Sequence, residues 1–143
     1  MTTTDIVLLA QAVASSAMCG IIWFVQVVHY PLFARTGDPA YAAENQRRTG
    51  RVVIPWMLVE GATAAWLAAR PPATVGRLPA LIGLALVGLL WLSTACVQMP
   101  LHARLAAEGH APPIVARLVR GNWGRTLLWS ARAALAAWML RAA

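Results

Sequence analysis

The chain has no lysine and few charged residues of any kind. Charged side chains make up 12% of its 143 residues and hydrophobic ones 59%, whereas soluble domains carry about 25% charged residues. Two long stretches, Ile6 to Ala34 and Leu78 to Ala103, contain no Asp, Glu, Lys or Arg. Each is longer than the roughly 20 apolar residues that cross a bilayer as a helix. The scarcity of charge excludes a soluble globular domain and predicts an integral membrane protein.

Two shorter apolar stretches carry one charge each. Val52 to Ala69 contains Glu60, and Thr126 to Leu140 contains Arg132. Strands are disfavoured, because an open sheet edge has no partner in lipid and the alternating segments of a membrane barrel are missing. The sequence therefore predicts an all-α membrane protein, a single domain over residues 1–143. It is expected to be a bundle of four transmembrane helices at about 5–33, 51–69, 79–105 and 122–141.

The N-terminus has no basic residue, and the chain has only two cysteines. The N-terminal residues Met1 to Asp5 include no basic side chain, and the first apolar stretch is too long for a signal peptide. We therefore expect the first helix to remain in the mature protein. The only cysteines, Cys19 and Cys96, both fall inside apolar stretches, which favours small core residues over a disulfide.

The net charge of +7 comes entirely from arginine, and the arginines are unevenly distributed. Eight lie between predicted helices 1 and 2, or between helices 3 and 4 and at the start of helix 4: Arg35, Arg47, Arg48, Arg51, Arg104, Arg117, Arg120 and Arg125. The opposite side has only Arg70, Arg77 and Arg141. By the positive-inside rule, the Arg-rich loops are predicted to be cytoplasmic and both termini outside. The charge therefore indicates membrane topology, and we expect no nucleic-acid partner.

The two halves of the chain share a motif. The order Val-Gln and then Pro-Leu, with a histidine nearby, occurs twice: Val25-Gln26, His29, Pro31-Leu32 and Val97-Gln98, Pro100-Leu101, His102. About thirty residues later, Trp56 precedes Glu60 in the first half and Trp129 precedes Arg132 in the second. The pattern favours two parallel helical-hairpin repeats. It pairs Gln26 with Gln98, His29 with His102, and Glu60 with Arg132.

Glu60 and Arg132 are the first candidate catalytic residues. Counting along their helices at ~1.5 Å per residue places both well inside the bilayer at similar depth. An isolated charge there costs roughly 2.5 kcal/mol or more, so we predict that the two side chains contact each other or share a ligand. Two interpretations stay open. The pair is either part of an active site or an ion pair that fixes the helix register.

His29 and His102 are the second pair of candidate catalytic residues, and both are predicted at the cytoplasmic ends of helices, near Gln26 and Gln98. They could relay protons, or they could hold a transition metal together with Glu60. The sequence has no His-x-x-His or Glu-x-x-His motif that would favour a metal site. Two possibilities therefore stay open, a transition metal or no cofactor. His110 is placed in a solvated loop.

The remaining candidates are expected to bind substrate. Gln26 and Gln98 lie on polar helix faces that must turn inward. Trp23, Trp56 and Trp129 either line a pocket for a flat apolar ligand or belong to interfacial belts. Asn122 is predicted to cap the last helix, and Arg125 adds a positive charge there. This helix start either anchors at the headgroups or holds an anionic, enolate-like group.

The opening of the last helix, Asn122-Trp123-x-Arg125-Thr126-x-x-Trp129-x-x-Arg132, resembles a known family. Together with the Trp-containing first helix that ends in a proline, it is similar to small bacterial membrane proteins of the anthrone oxygenase-like family. The resemblance implies a four-helix protein of the bacterial inner membrane. It also implies oxygenation of an aromatic, polyketide-like substrate.

Three functional hypotheses follow. The first is a membrane-embedded, oxygenase-like oxidoreductase that acts on a small lipophilic aromatic or isoprenoid substrate in a polar pocket within the bundle. The second is an acid-catalysed isoprenoid cyclase with Glu60 as the acid. The third is a non-catalytic carrier or accessory subunit, in which the polar residues join the helices. A transporter would need a homo-oligomer, because four helices leave little wall for a pathway.

Overall fold

A computed structural model describes residues 1–33, 35, 38–108 and 111–143, and this part of the chain is helical with no strand. The elements are α1 (Thr3–Phe24), a first π-helical segment (Val25–His29), α2 (Tyr30–Phe33), α3 (Pro39–Ala69), α4 (Arg77–Ser93), a second π-helical segment (Thr94–Gln98), α5 (Met99–Glu108) and α6 (Pro112–Ala142). Each π segment continues directly into the helices on both sides, so the elements form four long helical runs. The all-helical prediction is confirmed.

Three of the four runs are long and apolar enough to cross a membrane: Thr3–Leu32, Ala40–Ala69 and Arg77–Glu108. The fourth run, α6, contains five arginines and is not one of these three. Its polar side chains Asn122, Arg125 and Arg132 are buried against the other runs. The polar residues of α6 are therefore compatible with a position inside the bundle, because the three apolar runs cover its polar face.

The helices pack α6 against α1 and α4, and α3 against α1, α4 and α5. Three hydrophobic clusters follow one another along the bundle. One contains Leu8 and Met139, the next Met18 and Trp129, and the last Tyr30 with Leu118 and its neighbours. Many large apolar side chains remain exposed, Leu127 to 62% for example. An apolar outer surface is compatible with contact to a lipid bilayer.

Two predicted helix boundaries are wrong. α3 begins at Pro39, not near residue 51, because Asp38 caps it by accepting from the backbone of Ala40 at 2.9 Å. Glu44 supports this extension by bonding Nε of Arg47 at 2.8 Å. α6 begins at Pro112, not at residue 122, since proline suits the first turn of a helix. The extension of α3 is polar, whereas that of α6 combines Arg117 and Arg120 with the buried Ile114, Val115 and Leu118. Both were assigned to loops from the sequence.

The two π segments occur at matching places in the first and third helical runs. In each, the residue after the segment donates its backbone N–H five residues back, Tyr30 to Val25 and Met99 to Thr94. A proline follows at the next position, Pro31 or Pro100, where no N–H can bond. The helix continues through both prolines. Counted from the prolines, His29 corresponds to Gln98, so the pairings Gln26–Gln98 and His29–His102 do not follow the backbone register.

Candidate functional site

A cluster of four fully buried side chains lies in the middle of the bundle, and we call Ser15, Glu60, Trp129 and Arg132 the ion-pair cluster. Oε1 of Glu60 accepts a hydrogen bond from Ser15 at 2.7 Å and lies 3.7 Å from Nε of Arg132. Oε2 accepts from the indole N–H of Trp129 at 3.1 Å. The predicted contact between Glu60 and Arg132 is present.

The ion-pair cluster joins the helices at their centre. Ser15 belongs to α1, Glu60 to α3, and Arg132 to α6, while Gly83 of α4 lies against the guanidinium. A Cβ at position 83 would lie 3.1 Å from Nη1 of Arg132. Both carboxylate oxygens of Glu60 are engaged, and removing either charged partner would leave a buried charge without compensation. This geometry favours the ion-pair interpretation over an acid poised for catalysis.

A second polar group extends from the ion-pair cluster toward the prolines. The guanidinium of Arg125 lies over the ring of Trp129, 5.0 Å from its centroid, and donates to Oδ1 of Asn122 at 3.0 Å. Asn122 in turn donates to Oε1 of Gln26 at 2.8 Å. Asn122 therefore lies inside α6 and joins it to the first π segment. Its predicted role as a helix cap is wrong, because the helix begins at Pro112.

A cavity of about 240 Å³ lies beside this polar group, between the first three helical runs, and Arg125 reaches it from α6. One part of its wall is apolar, formed by side chains such as Met18, Ile22 and Met57. The other part carries polar groups from both π segments and their surroundings: His29, Tyr30, Asn45, Gln46, Thr49, Thr94, Gln98, His102 and Arg125. We call this cavity the π-segment pocket. Its amphipathic wall suits a ligand with an apolar body and a polar end.

Tyr30 and His102 form a hydrogen-bonded pair in the wall of the pocket. The Tyr30 hydroxyl lies 3.3 Å from Nε2 of His102, and the tautomer of the imidazole decides which of them donates. The ring of His29 lies 5.8 Å from that of Tyr30. The pocket thus has an imidazole and a phenol that can exchange a proton with each other and with a bound molecule.

The predicted metal set of His29, His102 and Glu60 is not assembled. Glu60 bonds Ser15, and Ser15 precedes His29 along the first helical run by about 21 Å at ~1.5 Å per residue. Within the described ranges, no group of three or more His, Cys, Asp or Glu side chains is placed to hold a metal ion. His110 lies outside the described residues.

The three tryptophans predicted to bind substrate do not line the π-segment pocket. Trp129 is fully buried and engaged with Glu60, and Trp56 packs beside it in the same hydrophobic cluster. Trp23 is 41% exposed. It donates to Ser130 at 3.0 Å and meets Trp123 edge-on, with ring centroids 5.8 Å apart. These contacts place Trp23 on the outside of the bundle, whereas Trp56 and Trp129 belong to its core.

Several polar residues of the two sites were missed in the sequence. Ser15 and the buried Gln11 continue the polar stripe of α1 at a spacing of four residues from Cys19, and this spacing could have revealed them. Asn45 and Thr49 lie on the extension of α3 that was assigned to a loop. The extension brings their side chains to the pocket.

The chain was compared with protein-family models, with curated proteins and with solved structures, and none of the three comparisons gives a match. The resemblance to the anthrone oxygenase-like family therefore stays a prediction from the residues of α6. Of the residues that carry it, Asn122, Arg125, Trp129 and Arg132 are all buried. The case for a function rests on the geometry of the two buried polar groups.

Proposed function

We propose that the protein is a four-helix integral membrane protein in which α6 also crosses the bilayer. The support is the distribution of polarity on α6, whose charged side chains Arg125 and Arg132 are buried, while Leu127 and Trp138 are exposed. The arginine-rich ends of the helices then face the cytoplasm, as the positive-inside rule requires. The resemblance of α6 to bacterial membrane proteins makes the bacterial inner membrane the proposed location.

We further propose that the π-segment pocket binds a small lipophilic molecule on which the protein acts. The observation that carries this proposal is a cavity of about 240 Å³ whose wall is formed by apolar side chains together with polar ones such as Tyr30, His102 and Arg125. Pockets for drug-sized ligands span about 300–1,000 Å³, so a compact ligand of two or three fused rings is appropriate. Such a molecule partitions into lipid and reaches the pocket from there.

The chemistry we propose is proton abstraction from an aromatic carbon acid, followed by its oxidation by dioxygen. His102 is the base: in the tautomer whose Nε2–H donates to the Tyr30 hydroxyl at 3.3 Å, Nδ1 takes the proton from the ring CH₂ that lies opposite the carbonyl. Arg125 stabilises the negative charge that moves onto the substrate oxygen. With anthrone, the ring CH₂ becomes a carbonyl, one dioxygen is consumed, and its second oxygen atom leaves as water.

Glu60 has a structural role in this proposal. Its two oxygens are engaged by Ser15 and Trp129, with Arg132 beside them, and it does not line the pocket. An acid that starts an isoprenoid cyclisation would have to reach the substrate, so the cyclase hypothesis is the weaker one. A carrier would use the same pocket without turnover.

Turnover of anthrone by the purified protein in detergent tests the enzymatic proposal. We expect quinone formation above the rate in protein-free micelles, with oxygen uptake in equal amount. The His102→Gln variant is expected to lose most of this excess rate, since a positioned general base contributes about 10²–10⁴-fold. Binding of the substrate without any turnover would contradict the enzyme and favour the carrier.

A further inference from the structure

We infer that the π-segment pocket holds its ligand most tightly as a lipophilic organic anion, with the negative charge beside Arg125. For the proposed substrate, this anion is the enolate that remains after His102 has taken the proton. This inference rests on the proposed function, because it names the chemical class of the molecule that the pocket takes. Its basis is the balance of charge in the core and three buried polar atoms that have no hydrogen-bond partner.

The buried charges of the core do not balance. Glu60 and Arg132 form an ion pair. Arg125 is only 8% exposed, and among the described residues no carboxylate lies within 4.0 Å of it. Its contacts are a neutral amide, Asn122, and the face of Trp129. A cation at this depth needs a negative charge to offset the cost of leaving water, and a bound anion would supply it.

Two residues that line the pocket have buried polar atoms without hydrogen-bond partners. Within the described part of the chain, Nε of Arg125 and both side-chain polar atoms of Gln98 are buried without a hydrogen-bond partner. The guanidinium nitrogens of Arg132 also lack a hydrogen bond, but Arg132 has the charge of Glu60 beside it and does not line the pocket. Gln98 is 3% exposed, and it lines the pocket together with Arg125. Nε2 of Gln98 would lie 3.2 Å from a Cβ at Gly121, one helical turn before Arg125 on α6. Arg125 and Gln98 therefore each bring an N–H donor without a partner to the wall of the pocket, from two different helices.

The surroundings define the class of anion. One guanidinium matches one negative charge, and the apolar wall of Met18, Ile22 and Met57 requires a hydrocarbon body. A carboxylate on a ring system and a phenolate or enolate both meet these conditions. The free oxygen of Gln98 can accept from a neighbouring hydroxyl on the ligand. Inorganic phosphate lacks the apolar body and carries more charge than Arg125 offsets.

Binding of matched probes tests the inference. The probes are 2-naphthoate, 4-nitro-1-naphtholate, which is ionised at neutral pH, and the uncharged methyl ester of 2-naphthoic acid, measured by equilibrium dialysis against the protein in a neutral detergent. We expect at least one of the anions to bind about tenfold more tightly than the ester, or more. Preference for the naphthoate would identify a carboxylate ligand, and preference for the naphtholate a phenolate or enolate.

Variants assign the preference to Arg125. In Arg125→Gln the anion should lose its advantage, whereas Arg125→Lys should keep most of it, because the charge is retained. Arg120→Gln is the matched control, since Arg120 is an exposed arginine of the same helix and should bind like the wild type. Folding of Arg125→Gln is judged by gel filtration and circular dichroism. If this variant does not fold, the anion preference is tested by comparing anion and ester on the wild type and on Arg125→Lys.

The outcomes separate the inference from the proposed function. If the wild type binds the ester and both anions equally, the inference of an anionic ligand is overturned. The pocket would then be one for neutral lipophilic molecules. An anion preference that persists undiminished in Arg125→Gln would also overturn it. Failure of all three probes to bind would contradict the proposed pocket itself.

Discussion

Glu60 shows how much one buried charge depends on its neighbours. Its carboxylate is held by a hydroxyl of α1 and an indole of α6, with the guanidinium of Arg132 beside it. The charge of Glu60 and its pairing with Arg132 could be predicted, because two single charges in apolar stretches at similar depth need each other. The spacing of the polar stripe on α1 could have placed Ser15 on the inner face of the helix, but it could not show that Ser15 bonds Glu60.

A double-mutant cycle measures this pair. Removing one partner of a buried ion pair costs about 3–5 kcal/mol, so Glu60→Gln and Arg132→Gln should each strongly destabilise the protein. The double variant should be less destabilised than the sum of the two, because it leaves no unpaired charge. Reversible unfolding in detergent, followed by circular dichroism, provides the free energies. Additive effects would contradict the contact.

Gly83 is expected to be needed for the position of Arg132. Gly83→Ala adds a Cβ 3.1 Å from Nη1 of the guanidinium, and overpacking of this kind typically costs about 1–3 kcal/mol. Gly88→Ala is the matched control on α4, because nothing lies within 4 Å of the added Cβ. Its gain in helix propensity should make it neutral or stabilising. Equal melting temperatures for the two variants would show that the guanidinium is not confined.

At the scale of elements, the long apolar parts of the helices could be predicted and the N-terminal extensions of α3 and α6 could not. Hydropathy identified the apolar runs, but the first turns of α3 are polar and those of α6 carry Arg117 and Arg120, so both were assigned to loops. The cap Asp38 of α3 and the first-turn Pro112 of α6 are local signals of a helix start, and the nearby charges outweighed them in the prediction. The π segments were also missed. The prolines indicated a local change of hydrogen bonding, but not that the helix would absorb an extra residue and continue.

A π-helical turn contains one residue more than an α-helical turn, and this gives a test by deletion. Deleting Val97, a partly exposed residue of the second π segment, should convert the turn to α-helix and leave α5 in register. Deleting the exposed Leu89 of α4 should rotate everything beyond it by about 100°, because an α-helix has 3.6 residues per turn. We expect a monodisperse, helical protein in the first case and loss of folded protein in the second. The same outcome for both deletions would contradict the π turn.

At the scale of the molecule, α6 is the helix whose position in the bundle is hardest to predict from its sequence. It is too polar to qualify as a membrane span by composition, yet its polar face is buried by the three apolar runs. The charged residues of α6 and their spacing could be read from the sequence. The existence and lining of the pocket could not. The pocket depends on where the first helical run places Tyr30, where the third places Gln98 and His102, and where α3 closes the wall.

The topology gives a prediction for the whole chain. If α6 crosses the membrane with the other three runs, both termini lie on the same side, and by the arginine bias that side is outside. Alkaline phosphatase, which is active only outside the cytoplasm, should be active when fused to either terminus in a bacterial host. Green fluorescent protein fused to either terminus should not fluoresce, because it would be exported from the cytoplasm. A phosphatase that is active at one terminus only would contradict a four-span bundle.

The measurement that tests the central claim most directly is ligand binding after the π-segment pocket has been filled. Gly50 lines the pocket, and among the described residues a Cβ there would meet only Ile54, at an ordinary 3.7 Å. Gly50→Leu should therefore fold and occupy the cavity, whereas Gly88→Leu adds the same side chain in open space. Binding of 2-naphthoate should be saturable in the wild type and in Gly88→Leu, and weaker by about tenfold or more in Gly50→Leu. Wild-type affinity in a correctly folded Gly50→Leu protein would show that the ligand binds elsewhere.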